Sequence, residues 1–150
     1  MPDSCDCAVL FYRLYNDQIV DHFYTTNNDE ANQAVDRLGY TRQGLSGAIY
    51  QNPQPETVPL YRLYNASITD HFYTTSASEA SLATKKRYTF EGVAGYIYPN
   101  PNWFNTVPLY RLYREKGTAD HFYTTCAAER ASALTSGYSD EGIAGYVSRP

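Results

Sequence analysis

The residues of this chain best suited to chemistry come in triplicate. Arg13, Arg62 and Arg111 lie in "FYRLYN", "LYRLYN" and "LYRLYR". Asp21, Asp70 and Asp120 each precede a histidine, His22, His71 and His121, in three copies of "DHFYTT". Glu91 and Glu141 open a third block, where the first copy has Gln43. Carboxylates and guanidinium groups at this spacing could bond the hydroxyls of a sugar while a tyrosine ring packs on its apolar face. The same groups could instead pin the strands. An arginine paired to an aspartate on its hairpin neighbour, with a histidine bonding a backbone carbonyl, would set the register of every unit.

Catalysis is a weaker fit. Asp70 and Glu91 could in principle act as glycosidase carboxylates, about 5 Å apart in a retaining enzyme. The first copy lacks the glutamate, however, and three equivalent sites suit a multivalent binder better than an enzyme. No G-x-S-x-G, H-E-x-x-H or phosphate-loop motif is present. The three histidines could ligate a metal only by turning inward on a shared axis, a place better suited to the adjacent phenylalanines. We therefore expect no catalytic residue, no metal and no cofactor.

These residues need elements to hold them, and the repeat defines those elements. The "YRLY" blocks recur every 49 residues, the "DHFYTT" blocks after 49 and then 50. "QGLSGAIY", "EGVAGYIY" and "EGIAGYVS" close each copy. The units are 8–57, 58–106 and 107–150, within one domain. "LYRLY" predicts a strand with Leu60, Arg62 and Tyr64 on one face and Tyr61 and Leu63 on the other. A short polar turn leads into "DHFYTT", a second strand. "SASEASLATKK" then opens with Ser76 and Glu79 at capping-box spacing. In the first unit Ala31, Ala34, Val35 and Leu38 form one helical stripe, and Gly39 stops the helix. Gly137 plays that part in the third unit, whereas Arg87 breaks the pattern in the second. Paired glycines such as Gly92 and Gly95 in the last strand predict a bulge or the close approach of another backbone.

Three near-equal units of strand, strand, helix and strand, with no capping unit, predict a β-dominated fold with short helices. The expected assembly is a closed pseudo-threefold one, β-trefoil-like, with a three-bladed propeller-like ring as the competing picture. Phe23, Phe72 and Phe122 are expected to be buried.

The Tyr-Arg-Leu-Tyr-Asn, His-Phe-Tyr-Thr and Glu-Gly-x-Ala-x-Tyr blocks, in that order, resemble a repeat family of unknown function. It occurs in bacterial cell-surface proteins, often beside cell-wall or polysaccharide hydrolases, and in fungal proteins. The resemblance covers nearly the whole chain and implies an accessory, lectin-like module directed at glycans. It brings no catalytic residues with it.

Composition sets further bounds. A net charge of −4 with dispersed charges argues against nucleic-acid and anionic-membrane partners, which need a basic patch. No apolar run approaches the roughly 20 residues of a membrane span. "MPDSCDCAVLFYRLY" has no basic stretch of the kind that begins a secretory leader, and Asp3 and Asp6 stand there instead. Cys5, Cys7 and Cys126 are odd in number, and a Cys-x-Cys pair is too close for a usual disulfide. Reduced thiols, in the cytoplasm or in a protein released without such a leader, are the expectation, with an extracellular place if the chain is a mature form.

The functional expectation is a non-enzymatic, multivalent carbohydrate-binding protein with up to three related shallow sites. Their residues would be Arg13, Asp21 and His22; Arg62, Asp70, His71, Glu91 and Tyr96; and Arg111, Asp120, His121, Glu141 and Tyr146. Trp103, which occurs once, would cover the junction between units two and three or stand as an exposed platform. Unit one, with Gln43 for glutamate and Ala48 for tyrosine, would be the weakest. The alternatives are a structural or protein-interaction scaffold, such as an inhibitor or adhesion module, and a glycan-active hydrolase.

Overall fold

The computed structural model describes residues 7–115 and 119–150. The expectations placed on Asp3, Cys5 and Asp6 lie outside them. The protein is β-dominated with three short helices, and the order strand, strand, helix, strand occurs three times. The first set is β1 (Val9–Asn16), β2 (Asp21–Thr25), α1 (Asn28–Leu38) and β3 (Thr41–Ile49). The second is β4 (Val58–Asn65), β5 (Asp70–Thr74), α2 (Ala77–Thr84) and β6 (Thr89–Ile97). The third is β7 (Thr106–Arg114), β8 (Asp120–Thr124), α3 (Ala127–Leu134) and β9 (Ser139–Ser148). Within each set the first strand is central and pairs antiparallel with the other two.

Strands of the first and third units form one six-stranded sheet in the order β2-β1-β3-β9-β7-β8, and those of the second form a separate β5-β4-β6 sheet. Single antiparallel bridges join the last strands of different units, Ala48 to Ser148, Tyr50 to Tyr96 and Tyr98 to Tyr146. The paired glycines explain how those strands come so near. A Cβ on Gly95 would lie 2.5 Å from Ile49 Cδ1 and 2.8 Å from the Tyr50 carbonyl oxygen, so only glycine fits. Gly92 serves the other expected purpose. It adopts φ +111° at a register shift, where Gly92 pairs with Arg62 and Phe90 with Leu63, leaving Glu91 as the extra bulged residue.

Both faces of the second strand are buried, by different partners. Tyr24, Tyr73 and Tyr123 meet in one central core with Phe11, Leu60 and Leu109, their rings edge-to-face at 5.3–5.4 Å between centroids. Each of these hydroxyls donates to a carbonyl of another unit: Tyr24 to Tyr123, Tyr73 to Tyr24 and Tyr123 to Tyr73. Each also accepts from a backbone N–H of another unit, so the buried hydroxyls are fully used. The phenylalanines are buried as expected, but they point away from this centre. Phe23, Phe72 and Phe122 lie on the opposite face, against Leu14, Leu63 or Leu112 and the helix of their own unit. Alternation along the strand sends neighbours to opposite sides, and tyrosine wins the centre because its hydroxyl satisfies backbone groups that phenylalanine would orphan.

The helices correct three details. Ala31 and Ala34 are buried, whereas Val35 and Leu38 are exposed, so the stripe is only two alanines wide. The capping box is half formed: Ser76 accepts from the Glu79 amide, but the Glu79 side chain turns elsewhere. Gly39 ends α1 in the left-handed region as expected. Arg87 does not break the pattern, because it takes φ +72° where Gly137 takes +93°. The tyrosine after each then donates its backbone N–H to the helix, Tyr88 to Ala83 and Tyr138 to Ala133.

Candidate functional site

The arginines, aspartates and histidines are buried or nearly so, and their partners lie mostly in other units. Asp21, Asp70 and Asp120 are fully buried. None pairs with the arginine of its own hairpin. Asp21 accepts from the His71 amide at 2.9 Å and lies 2.6 Å from His71 Nδ1. Asp70 does the same for His121, and Asp120 for His22. A tyrosine that follows the helix completes each carboxylate: Tyr40 donates to Asp21, Tyr88 to Asp70 and Tyr138 to Asp120. The histidines thus bond carboxylates, not backbone carbonyls. It is the three aspartates, not the histidines, that converge, with one oxygen of each within 4.8 Å of the others.

The arginines are held by glutamates absent from the expected set. Arg62 forms a two-point pair with Glu30 of α1 at 2.9 and 3.0 Å. Arg111 pairs likewise with Glu79 of α2, and Arg13 with Glu129 of α3. Each glutamate is aimed by the threonine that ends the preceding strand, Thr25, Thr74 or Thr124, which donates to it. That threonine also accepts the amide of the helix cap residue. Every residue of "DHFYT" therefore has a task. Aspartate holds the next unit's histidine, phenylalanine fills the helix-side core, tyrosine enters the centre, and threonine aims the glutamate that holds the next unit's arginine.

Where these pairs meet, three clefts open between units. The largest, 480 Å³, is lined by Phe23, Glu30, Tyr40 and Leu38 of unit one and Arg62, Tyr64, His71 and Glu91 of unit two. Its counterpart of 290 Å³ holds Phe72, Glu79 and Tyr88 with Arg111, His121 and Glu141. The third, 220 Å³, holds Phe122, Glu129 and Tyr138 with Arg13, His22 and Gln43. In each the guanidinium lies 5.1–5.2 Å above the phenylalanine ring, a cation–π contact. The histidine is packed between that phenylalanine, at 4.7 Å, and a tyrosine of its own first strand, at 4.3–4.4 Å. The bulge places Glu91 against Arg62, its Oε1 3.1 Å from Nε and 3.8 Å from His71 Nε2. Glu141 lies 2.9 Å from Arg111 Nε, an ion pair without hydrogen-bond alignment, and 3.4 Å from His121 Nε2.

Of the expected site residues, the clefts gather Arg13, Arg62, Arg111, His22, His71, His121, Glu91 and Glu141, with Gln43 in the place of the missing glutamate. Asp21, Asp70 and Asp120 stand behind the histidines. Tyr96 and Tyr146 line none of these clefts; their backbones form the bridges between last strands. Trp103 stacks on Tyr98 at 4.6 Å, also outside the clefts, while its neighbour Phe104 is 99% exposed. The helix glutamates were missed because Ser76 and Glu79 also fit a purely local cap.

The charge pairs tie stability to pH. Hydrogen bonding to Arg111 and Arg13 holds Glu79 and Glu129 below the usual 4.5 against the opposing effect of burial. For Glu30 burial is the largest influence and acts upward, yet the bonds to Arg62 and Thr25 bring it below 4.5. Such depressed carboxylates stabilise the fold above pH 4.5, and that stabilisation is lost as pH falls through their folded values. His121 works the other way. Burial disfavours its charge, but Asp70 and Glu141 raise its pKa above 6.5. Its contribution is complete below pH 6.5 and is lost as pH rises through the folded value. The urea midpoint should therefore peak between about pH 5 and 6.5 and fall on both sides. Glu79→Gln should flatten the acid limb. A midpoint unchanged between about pH 3 and 6 would mean that solvent screens these pairs fully.

Among the described residues no helix is long and apolar enough to cross a membrane. A family model described as a domain of unknown function, DUF5648, matches residues 10–148. No curated protein and no solved structure matches the chain.

Proposed function

The chain belongs to the DUF5648 family, and from the chemistry of its clefts we propose a non-enzymatic, multivalent glycan-binding protein. Its sites are the clefts between units rather than surfaces of single units. One observation carries the reading: an arginine, a histidine, a helix glutamate and aromatic rings recur together at all three junctions. Carboxylate and guanidinium groups on a cleft rim bond hydroxyls, and its apolar wall, including Ile19 and Leu38 in the largest cleft, takes the apolar face of a sugar ring. The assembly that would present such sites together is a closed pseudo-threefold one, trefoil-like, or a three-bladed ring. The direction of the contacts supports closure, because unit one grips two, two grips three, and three grips one. The exposed thiols Cys7 and Cys126 fit a reducing compartment.

A second reading has its own support. The arginines and histidines are largely committed to partners inside the protein, as a purely structural scaffold would require. A glycan array probed with the intact protein separates the two. The binding reading expects immobilised glycans to be held about 10²–10⁴ times more tightly than the free monosaccharide, the gain of simultaneous engagement. Leu38→Arg, at an exposed position on the rim of the largest cleft, should remove one site from a titration with a neutral methyl glycoside and leave the melting curve unchanged. No binding to any glycan, or a full set of sites in this variant, would favour the scaffold.

A further inference from the structure

The three clefts are not equivalent in charge. In two of them the arginine Nε faces a glutamate of its own unit, Glu91 or Glu141, in addition to the helix glutamate. In the third that glutamate is Gln43, and among the described residues the buried Arg13 Nε has no hydrogen-bond partner. His22 lines the same cleft, with Nδ1 taken by Asp120, and among the described residues no acceptor stands at its Nε2. Gln43 itself is exposed, and its side chain makes no hydrogen bond among the described residues. The fold has thus kept two donors and removed the carboxylate that served them. An unpaired buried donor on a cation is costly, and an incoming carboxylate would satisfy it with a charge-assisted bond.

We infer that the cleft formed by Arg13, His22, Gln43 and Glu129 binds a carboxylate-bearing sugar, a uronate, whose carboxylate takes the place held by Glu91 and Glu141 in the other two clefts. The inference rests on the glycan-binding reading for the sugar ring and on Gln43 for the charge. Discrimination follows from the charge count and from whether a glutamate already stands beside the arginine Nε. With Glu30 and Glu91 against Arg62, carboxylates outnumber the guanidinium in the largest cleft; in the second, which Lys86 also lines, Glu141 already occupies the place beside Arg111 Nε. With Glu129 alone against Arg13, the third cleft is balanced and accepts a carboxylate. Its 220 Å³ suits a single acidic sugar unit rather than a length of chain.

NMR titration of the intact protein with methyl glucuronide, methyl glucoside and acetate tests this, read at the Arg13 Nε and His22 side-chain signals. Glucuronide should bind at one site per chain, about ten- to hundredfold tighter there than glucoside. Q43E, which only restores the pairing found in the other units, should abolish that preference. E141Q should create a second glucuronide site at Arg111. Glucuronide bound no tighter than glucoside, or binding unchanged in both variants, overturns the inference even if neutral sugars bind elsewhere. Acetate and glucuronide binding equally at Arg13, with no glucoside bound anywhere, upholds the carboxylate site and overturns the glycan reading.

Discussion

Replacing Asp70 with alanine is expected to destabilise the protein by about 3–5 kcal/mol, the cost of breaking a buried charged pair from one side. The carboxylate is fully buried, and three donors depend on it: the His121 amide at 2.8 Å, His121 Nδ1 at 2.6 Å and the Tyr88 hydroxyl at 2.5 Å. Those donors come from two units, so the substitution releases the junction between units two and three and the turn after α2 together. Water cannot substitute easily where atoms are this enclosed. One term opposes the loss. Asp21 and Asp120 lie close by, within the 4.8 Å cluster, and removing one of three carboxylates relieves their mutual repulsion. Urea denaturation of the wild type, Asp70→Ala and Asp70→Asn decides between the terms. A variant as stable as the wild type, or more so, would show that repulsion within the cluster outweighs its hydrogen bonds.

Phe72→Ala should cost a similar amount, about 3–5 kcal/mol, by a different route. The ring packs with Leu63, Ala80 and Ala83 beneath α2, and its outer side carries Arg111 at 5.1 Å and His121 at 4.7 Å. Alanine leaves a cavity on the inner side and takes away the surface on which the next unit's arginine rests. Small alanines line the helix side, and they have little reach with which to collapse into the gap. The loss should therefore sit near the upper end of the range, with the cleft around Arg111 disturbed as well. A change below about 1 kcal/mol in the denaturation midpoint would mean that the helix closes the gap at little cost. Leu82→Ala, at an exposed position on the same helix, should change stability by no more than about 0.5 kcal/mol and controls for helix propensity.

Much of this architecture could be read from residues alone, because its causes are local. The repeat period is a property of the chain itself, and alternation in "DHFYTT" assigns Phe72 and Tyr73 to opposite faces without reference to any other element. The glycine after α1 and the paired glycines of the last strands need backbone conformations or clearances that few other residues tolerate, so Gly39, Gly92 and Gly95 announced their roles. Residue preference gave way at two places, to backbone bonding at one and to packing at the other. Arg87 adopts a left-handed conformation that its type disfavours, held there by the bond from the Tyr88 amide to Ala83. Val35 and Leu38 followed the helical period and still lie in solvent, since of the apolar side chains of α1 only Ala31 and Ala34 are buried.

Which copy holds which partner was decided by the tertiary structure alone. An aspartate, a histidine, an arginine and a glutamate occur in every unit, so each possible pair can be drawn within a unit or between units at equal cost on paper. Asp21 stands one residue from His22 and bonds His71, while Glu79 caps its own helix in sequence and holds Arg111 in space. A repeat hides this choice, because the sequence surroundings of the right partner and the wrong one are nearly the same. Geometry removes the ambiguity. Adjacent residues on a strand point to opposite faces, so Asp21 cannot fold back on His22, and the side chain reaches the unit that packs against its face. The residue types, their spacing and the odd Gln43 were written in the chain; the clefts they line exist only where one unit meets the next.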